Sequence, residues 1–432
     1  MNEFSTFKLL PQIENGIKQI GFKEPTPIQQ KSIPILMQGK DLMGIAQTGT
    51  GKTAAFALPL LDRLGRSNDR PKPLECFSLI LVPTRELAAQ VHDNIKKFSK
   101  EMQIKTAVIY GGVGQKPQIK ALKEGIDILV ATPGRLEDLM GQGFVKFSRL
   151  SVLVLDEADH MLEIGFMPAI KRIVSHIPKQ RQTLMFSATM PKPIEKLAQG
   201  LLTNPVMVET TPDTPTVDKI QQQVVHLSIA RKVSYLREIL TGDGVYQALI
   251  FSRTKHGADK LKRHLARLDL ISETLHSNKS QNARQRTLNS FRQGKLRFLI
   301  ATDIANRGID VDGVSHVINY DIPVEPESYV HRIGRTGRAG REGIAISLCT
   351  PDETGKLMSI ERIIKAKLPS ISLLTEDEIK YALAKKAEEK NNKPPHKKNR
   401  FKENNQSRFN KTNNNNKKRR NNRNNFVSKK SA

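Results

Sequence analysis

Residues 46–53 read Ala-Gln-Thr-Gly-Thr-Gly-Lys-Thr and stand between a short apolar segment and a run that favours a helix. A loop of small residues at a helix start presents free backbone N–H groups and the positive end of the helix dipole, which suit phosphate groups. Lys52 can reach the β- and γ-phosphates, and the Thr53 hydroxyl can bind Mg²⁺. The strict phosphate-loop pattern has glycine in place of Ala46, but alanine is small enough for the same turn. The stretch predicts a nucleotide site.

Short apolar runs follow this loop and alternate with helical patterns. They are residues 78–82, 107–110, 126–130, 152–155 and 183–186, and then 248–251, 297–300, 316–319 and 344–348. Near-continuous apolar strands separated by helices indicate a parallel sheet covered on both faces. The chain is therefore predicted to be α/β with two such domains. The second has no phosphate loop of its own, so its groups could complete a nucleotide site on the first.

Changes in composition predict the domain boundaries. The first domain is expected over residues 1–208, a polar, proline-bearing linker over 209–217, and the second domain over 218–372. A tail follows over residues 373–432, and its last 42 residues contain 14 Lys or Arg, 14 Asn and one acid. Such a segment cannot bury a core, so we expect the tail to be largely disordered.

The net charge of the 432 residues is +27, which points to a polyanionic partner, with nucleic acid ahead of an acidic membrane. No apolar run is long enough to span a bilayer, and the first residues do not resemble a signal peptide. Cys76 and Cys349 each lie inside an apolar stretch, which predicts two core thiols. These features favour a cytoplasmic location without membrane contact.

A second motif, at residues 152–159, is an apolar strand that ends in acids, Val-Leu-Val-Leu-Asp-Glu-Ala-Asp. Acids at this place hold Mg²⁺ in phosphate-loop enzymes, so Asp156 is the expected metal ligand beside Thr53. Glu157 would orient and deprotonate the water that attacks the γ-phosphate. A cluster that caps a helix is the alternative.

The residues Asp-Glu-Ala-Asp at 156–159 identify the chain as resembling a DEAD-box ATP-dependent RNA helicase of superfamily two. The resemblance covers residues 4 to about 365, with the motifs in the family's order. It implies two tandem RecA-like domains, RNA as partner, and ATP with Mg²⁺ as cofactors. The modest length and basic tail resemble the bacterial RhlE-like group, which is associated with ribosome assembly and RNA turnover.

The resemblance also implies how the nucleotide is held. Residues 21–29 are similar to the family's Q motif, in which Gln29 would read the adenine edge, Phe4 would stack on the base and Thr26 would support the loop. Asp310, in a segment similar to motif V, would lie on the ribose side. The full expected set is Phe4, Thr26, Gln29, Ala46, Gln47, Thr48, Gly49, Thr50, Gly51, Lys52, Thr53, Gly308 and Asp310.

The resemblance also implies an RNA track, from segments similar to family motifs in both domains, and each of those in the first domain follows an apolar run. Hydroxyls, arginines and helix N-termini at such places can hold the phosphates of a single strand without reading bases. Each motif alone would be interpreted as a turn or a helix cap, but their shared position at the strand ends of one domain favours an RNA track. The expected contacts are Pro83, Thr84, Arg85, Gly112, Thr132, Pro133, Gly134, Arg135, Arg253, Arg284, Thr302 and Arg307.

A further motif connects hydrolysis to strand separation. Ser187 and Thr189 lie in a segment similar to motif III, which couples hydrolysis to strand separation in the family, although a cap before Pro191 is the structural alternative.

Residues 331–338 are similar to motif VI. Arg335 and Arg338, three apart, are expected to share a helical face and to act as arginine fingers on the γ-phosphate. His331 would relay contacts to the acids.

Two other functions stay open. A DNA helicase or translocase of the same superfamily would use similar motifs, because the choice of RNA rests on contacts to the 2′-OH. An ATP-switched RNA clamp or annealing factor would suit the basic tail.

Overall fold

The computed structural model describes residues 3–47, 49–210, 220–303, 311, 313–337 and 342–380. The strands are β1 Leu42–Ile45, β2 Cys76–Leu81, β3 Thr106–Ile109, β4 Ile126–Ala131, β5 Val152–Leu155, β6 Gln182–Ser187, β7 Val206–Glu209, β8 Ile220–His226, β9 Ala248–Phe251, β10 Ser272–Leu275, β11 Phe298–Ala301, β12 His316–Asn319, β13 Gly343–Cys349 and β14 Ser370–Ser372.

The helices are α1 Pro11–Ile20, α2 Pro27–Met37, α3 Lys52–Gly65, α4 Arg85–Phe98, α5 Lys116–Leu122, α6 Pro133–Gly141, α7 Ala158–Glu163, α8 Met167–Ser175, α9 Lys192–Leu201, α10 Lys232–Thr241, α11 Lys255–Ala266, α12 Gln281–Arg292, α13 Pro326–Ile333 and α14 Thr354–Ile364. Short 3-10 helices lie at Phe4–Phe7, Ile229–Arg231 and Pro351–Glu353.

The described strands form two sheets of seven parallel strands each. The first sheet has the order β3-β4-β2-β5-β6-β1-β7, and the second has β10-β11-β9-β12-β13-β8-β14. Adding seven to each strand number of the first order gives the second order, so the two domains share one topology. Both sheets belong to one compact unit. The predicted α/β class with two parallel sheets is confirmed.

The inner strands form the core because their alternate side chains face opposite layers of helices. In β2, Leu79 and Leu81 pack into one hydrophobic cluster, while Ile80 packs into the other. All six residues of β2 are buried, as are all four of β5. A strand covered on both faces needs apolar residues at every position, which explains the continuous runs in the sequence.

Several strands were not predicted from the sequence, namely β1, β7, β8, β10 and β14. The strands β7, β10 and β14 lie at sheet edges, where a strand needs fewer apolar side chains. β8 contains three consecutive glutamines and still pairs with β13 and β14. Its sequence lacks the continuous apolar pattern, so only the pairing reveals it.

The sheet topology places the motifs together. In a parallel sheet the carboxyl ends of all strands meet at one edge, and ligands bind there. In the first domain the phosphate loop follows β1, the acids follow β5 and Ser187 ends β6. In the second domain, Arg253 follows β9 and Thr302 follows β11. No helix in the described ranges is both long and apolar enough to cross a membrane.

Candidate active site

The phosphate loop lies between β1 and α3, as the sequence predicts. Gly49 and Gly51 have φ angles of 85° and 90°, in the left-handed region that glycine adopts without steric cost. The Lys52 side chain is buried, and its Nζ donates a hydrogen bond to the carbonyl oxygen of Ala46 at 2.9 Å. The ammonium group is thus fixed beside the loop by a neutral acceptor. Thr48 lies outside the described residues.

The start of α2 supports this loop from a distant part of the sequence. The Thr26 hydroxyl donates to the carbonyl of Thr50 at 2.7 Å, and Gln29 Nε2 donates to the carbonyl of Gly51 at 3.0 Å. A Cβ on Gly51 would overlap the Gln29 amide, so only glycine permits this approach. Thr26 and Gln29 also form a capping box at the start of α2. Thr26 thus contacts the loop, and its role in nucleotide binding stays a prediction.

Phe4 lies in the hydrophobic core and is 6% exposed. Its ring is stacked on Phe22 at 6.4 Å between centroids and meets the edge of Phe7 at 6.1 Å. Its contact with a base stays a prediction, because these aromatic neighbours already pack against the ring.

The acids at the end of β5 have different electrostatic environments. Burial raises the pKa of Asp156 to about 6, although the charge of Lys52 opposes this. Burial also acts to raise the pKa of Glu157, but a hydrogen bond with His160 and the charges of His160, Lys52 and Arg335 outweigh it and hold that pKa at about 2. Glu157 is therefore an ionised carboxylate at neutral pH, while Asp156 is a buried acid that a nearby cation would stabilise.

The backbone of Glu157 is held in an unusual conformation, with φ 54° and ψ 54°. This left-handed conformation costs a residue with a Cβ about 1–2 kcal/mol. It turns the chain between β5 and α7 and holds the Glu157 carboxylate 3.3 Å from His160 Nδ1. Glu157 makes no side-chain cap on α7, so a capping role does not account for it.

Asp159 joins the acid motif to the segment after β6. One of its carboxylate oxygens accepts hydrogen bonds from the backbone N–H of Ala188 at 3.1 Å, the backbone N–H of Thr189 at 2.9 Å and the Thr189 hydroxyl at 3.0 Å. Ser187 Oγ accepts from the Asp159 N–H at 3.3 Å. The alternative of a helix cap is wrong for Ser187 and Thr189, because α9 starts at Lys192 with Pro191 as its N-cap residue.

The expected RNA contacts of the first domain line the carboxyl edge of its sheet. Thr84 caps α4 by accepting the Leu87 N–H at 3.2 Å, so its cap role is real. The guanidinium of Arg85 lies against Gly112, where a Cβ would overlap it. Arg135 donates to the carbonyl of Val113 at 3.3 Å, and its Nη1 is buried without a hydrogen-bond partner in the described structure. A buried, unmatched donor of this kind suits a phosphate oxygen.

For the other described residues predicted at this edge, the structure gives burial but no side-chain hydrogen bond that bears on RNA. Pro83, Thr132 and Pro133 are buried, Gly134 is exposed, and Thr132 precedes α6 without a side-chain cap.

In the second domain, two arginines that were predicted to contact RNA bind protein groups in this structure. Arg284 Nε donates to Glu86 Oε1 at 2.8 Å, and Gln281 Nε2 donates to the same oxygen at 3.1 Å. Glu86 belongs to α4 and Arg284 to α12, so this buried ion pair joins the two domains. Arg253 forms an ion pair with the buried Glu353. The role of both arginines on RNA stays a prediction.

Motif VI differs from the expected helix. α13 ends at Ile333 with Gly334 as its C-cap, so Arg335 lies in the turn that follows. The prediction that Arg335 projects from a helical face is wrong, because a glycine ends helices readily. Arg335 is 3% exposed, and its charge acts on Glu157 across the domains. His331 is half-buried in the last turn of α13.

Four predicted residues of the second domain, Arg307, Gly308, Asp310 and Arg338, lie outside the described residues.

Some buried and paired residues at the site were missed by the sequence reasoning. Arg332 is 1% exposed and binds the Asp303 carboxylate through Nε at 2.5 Å and Nη2 at 2.7 Å. Glu86, Asp159 and His160 contact predicted residues directly. Asp159 lies inside the acid motif, His160 follows it directly and Glu86 follows the predicted residue Arg85, and this proximity was the available signal, but burial and pairing are not visible in a sequence.

The residues at the site fit a divalent cation that is shared with a nucleotide. The described residues include no cluster of three or more His, Cys, Asp or Glu side chains suited to hold a metal alone. Mg²⁺ commonly takes one or two protein oxygens and completes its shell with phosphates and water. A buried Asp156 with a raised pKa and the Thr53 hydroxyl are donors of that kind.

Two protein-family models match the chain. The model described as DEAD/DEAH box helicase matches residues 26–197, and the model described as Helicase conserved C-terminal domain matches residues 231–340. The chain is 42% identical over 378 residues to the DEAD-box ATP-dependent RNA helicase CshA of Geobacillus kaustophilus, covering 88% of this chain and 80% of that one. It is also 42% identical to ATP-dependent RNA helicase CshA of Listeria monocytogenes, covering 88% and 72%. These relatives are CshA proteins, so the expected RhlE-like subgroup is not supported.

Solved structures show the same fold. Dbp5 of S. cerevisiae bound to RNA and ADP BeF3 matches with a TM-score of 0.77 at 30% identity, covering 89% of this chain and 99% of that chain. A DEAD box protein of Methanococcus jannaschii matches with a TM-score of 0.52 at 38% identity, covering 86% and 99%. The tandem RecA-like architecture is thereby confirmed.

Proposed function

Because the chain belongs to the DEAD-box family of ATP-dependent RNA helicases, we propose that its first domain holds ATP and its second domain completes the catalytic site. RNA-dependent ATP hydrolysis and RNA unwinding are the activity of the family; the proposal concerns the residues that carry it. One observation supports the division most directly. Arg335 of the second domain lies close enough to Glu157 of the first for its charge to lower the pKa of that carboxyl group.

In this proposal the phosphate loop binds the triphosphate through its backbone N–H groups and Lys52. Thr53 and Asp156 hold Mg²⁺, which neutralises charge on the β- and γ-phosphates when bound. Gln29 reads adenine with the hydrogen-bonding capacity that its contacts to Thr26 and Gly51 leave free, since a carboxamide has two donors and two acceptor lone pairs.

Glu157 orients the attacking water and accepts its proton. An ionised carboxylate is required for this, and the low pKa of Glu157 supplies one. Arg335 and Arg338 stabilise the charge that develops on the γ-phosphate oxygens, as guanidinium forks do in phosphoryl transfer. Gly308 and Asp310 contact the ribose side of the nucleotide, and His331 relays contacts between the domains.

RNA lies along the carboxyl edges of both sheets. The contacts are made by Arg85 with Gly112, by Arg135 and, in the second domain, by Arg253, Thr302 and Arg307. ATP and RNA favour the closed arrangement because each makes contacts in both domains. The Asp159–Thr189 hydrogen bonds couple hydrolysis to this arrangement, since they connect the acid motif with the segment after β6. A closed track that bends one strand separates a short duplex locally.

We further propose a cytoplasmic role on structured RNA, such as ribosomal precursors or RNA under decay, without membrane contact. The contacts described are directed at the backbone of the strand, which supports low sequence specificity. The proposed domain boundaries at residues 208, 217 and 372 lie near the end of β7 at Glu209, the start of β8 at Ile220 and the end of β14 at Ser372, and this proximity supports them. The Cys76 thiol is buried and free, and Cys349 is buried in the second domain, which suits a reducing compartment.

The test is ATP hydrolysis with no nucleic acid, with single-stranded RNA and with single-stranded DNA of matched sequence. It should use the full chain and a chain that ends at Lys385. We expect strong stimulation by RNA alone, and weaker apparent RNA affinity after truncation. Equal stimulation by DNA would favour a DNA translocase. ATP-dependent RNA binding with annealing but no unwinding would favour a clamp.

A further inference from the structure

A cleft of about 650 Å³ lies at the amino edge of the first sheet, opposite to the phosphate loop. Its walls include Arg63 near the end of α3, Ser151 immediately before β5, and Arg181 and Gln182 at the start of β6. The acids Asp156 and Glu157 follow the opposite, carboxyl end of β5, and Ser187 ends β6. The cleft is therefore separate from the site described above.

Three guanidinium groups line this cleft, those of Arg63, Arg149 and Arg181, against one carboxylate, that of Asp69. Asp69 forms an ion pair with Arg149. The guanidinium of Arg149 also stacks over the ring of Phe77, 5.0 Å from its centroid, which fixes its plane. Since a single acid faces three cations, the lining has two positive charges in excess.

Neither Arg63 nor Arg181 has an acidic partner within ion-pair distance in the described ranges. Arg63 Nη1 donates to the side-chain oxygen of Gln182 at 3.0 Å, and Arg181 Nη1 donates to the carbonyl of Pro178 at 2.8 Å. Arg181 Nε is buried and has no hydrogen-bond partner there. Partial burial lowers the pKa of both arginines, which is the effect of removing a cation from water without a neutralising anion.

Asp41, whose charge acts on Arg181, already accepts two hydrogen bonds from backbone N–H groups. Asp41 Oδ1 accepts the N–H of Thr183 at 2.8 Å, and its Oδ2 accepts the N–H of Thr203 at 2.7 Å. Its carboxylate is thus fixed by two strand and loop contacts and stays out of ion-pair range of Arg181. The unpaired guanidinium donors of Arg63 and Arg181 would therefore be stabilised by an anion from outside the chain.

We propose that this cleft binds a small phosphate-containing anion with at least two negative charges. This site is distinct from the ATP site. Guanidinium groups bind phosphate oxygens through paired N–H donors, and two unpaired arginines match two charges. The cations converge on one concave space of limited volume, whereas a strand of RNA would need cations spread along a track. A free oligophosphate or the phosphates of a small metabolite fit this space better than a polynucleotide.

The experiment is calorimetric titration of the full chain with pyrophosphate, in a Lys52→Ala background that weakens binding at the phosphate loop. We expect pyrophosphate still to bind this chain, and the added substitutions Arg63→Gln and Arg181→Gln to weaken that binding by about tenfold or more. Arg237→Gln, on the exposed surface of α10, is the matched control and should leave the affinity unchanged. Circular dichroism melts check that each variant is folded.

Two results would overturn the proposal. Pyrophosphate affinity that is equal in the Arg63→Gln, Arg181→Gln variant and in the control would mean that other cations of the chain bind it. A short single-stranded RNA that displaces pyrophosphate from the Lys52→Ala chain, with an affinity that depends on Arg63 and Arg181, would assign the cleft to a strand instead.

Discussion

The two domains have the same strand order, yet a lysine at the same topological position has different partners in each. Lys52 starts the helix after β1, and Lys232 starts the helix after β8, the corresponding strand of the second sheet. Lys52 Nζ contacts the neutral carbonyl of Ala46. Lys232 Nζ contacts Glu353 at 2.9 Å, the carbonyl of Tyr320 at 2.6 Å and Asp321 at 3.5 Å.

The difference shows that topology alone does not make a nucleotide site. Gly49 and Gly51 open a cradle before Lys52, while the 3-10 helix Ile229–Arg231 occupies the corresponding connection before Lys232. In the second domain two internal carboxylates already neutralise the ammonium group, so no charge is left for a phosphate. The second domain instead places the charge of Arg335 near Glu157 of the first domain.

The largest effect is expected from Arg335→Ala. This change removes the guanidinium group that the second domain is proposed to supply to the active site of the first. An arginine finger contributes about 10³–10⁵-fold to phosphoryl transfer. We expect RNA-stimulated ATP hydrolysis to fall by that factor while ATP binding stays nearly unchanged, as measured by steady-state turnover and a fluorescent nucleotide. With Arg237→Ala as the control, hydrolysis within tenfold of the unmodified chain would show that Arg335 is not a finger.

Lys232→Met tests the internal neutralisation of the second domain. Glu353 is 1% exposed, so loss of Lys232 leaves a buried carboxylate with one partner fewer. Breaking a buried ion pair in this way costs about 3–5 kcal/mol of the free energy of unfolding. Urea denaturation monitored by circular dichroism measures this loss. A loss below about 1 kcal/mol would mean that the pair does not stabilise the domain.

Lys52→Met is the matching change in the first domain. Here we expect a large loss of ATP turnover and only a small loss of stability. Removing one preorganised electrostatic group typically costs about 10²–10³-fold in rate. ATP turnover should fall by that factor, while the free energy of unfolding changes by about 1 kcal/mol, the value of one hydrogen bond. If Lys52→Met destabilised the chain as much as Lys232→Met, the two lysines would not differ as proposed.

The smallest effect concerns the contact between the domains. Glu86→Gln, Arg284→Gln and the double variant form a cycle whose coupling energy we expect to be about 0.5–3 kcal/mol in ATP-dependent RNA binding. Each single change should weaken binding, because the domains lose a charge-assisted hydrogen bond, and the double change should add little. Additive effects would place Arg284 on RNA independently of Glu86.

The sequence predicted the α/β class because the inner strands are buried on both faces and are continuously apolar. It did not predict β8, whose three glutamines satisfy no apolar pattern. It also placed Arg335 on a helix, whereas α13 ends at Ile333. Pairing energy from neighbouring strands and the local effect of a glycine decide these features, and neither can be read from periodicity.

The sequence by itself determined the residue types of the site: a small-residue loop before Lys52, acids at a strand end, and arginines in motif VI. Their chemistry follows from side-chain composition and spacing. Only the tertiary structure decided which groups are neutralised and which stay available. The pKa of Glu157 depends on His160 and Arg335, the Glu86–Arg284 pair joins two domains, and Glu353 neutralises Lys232, because electrostatic energies depend on distance and burial that a linear chain does not contain.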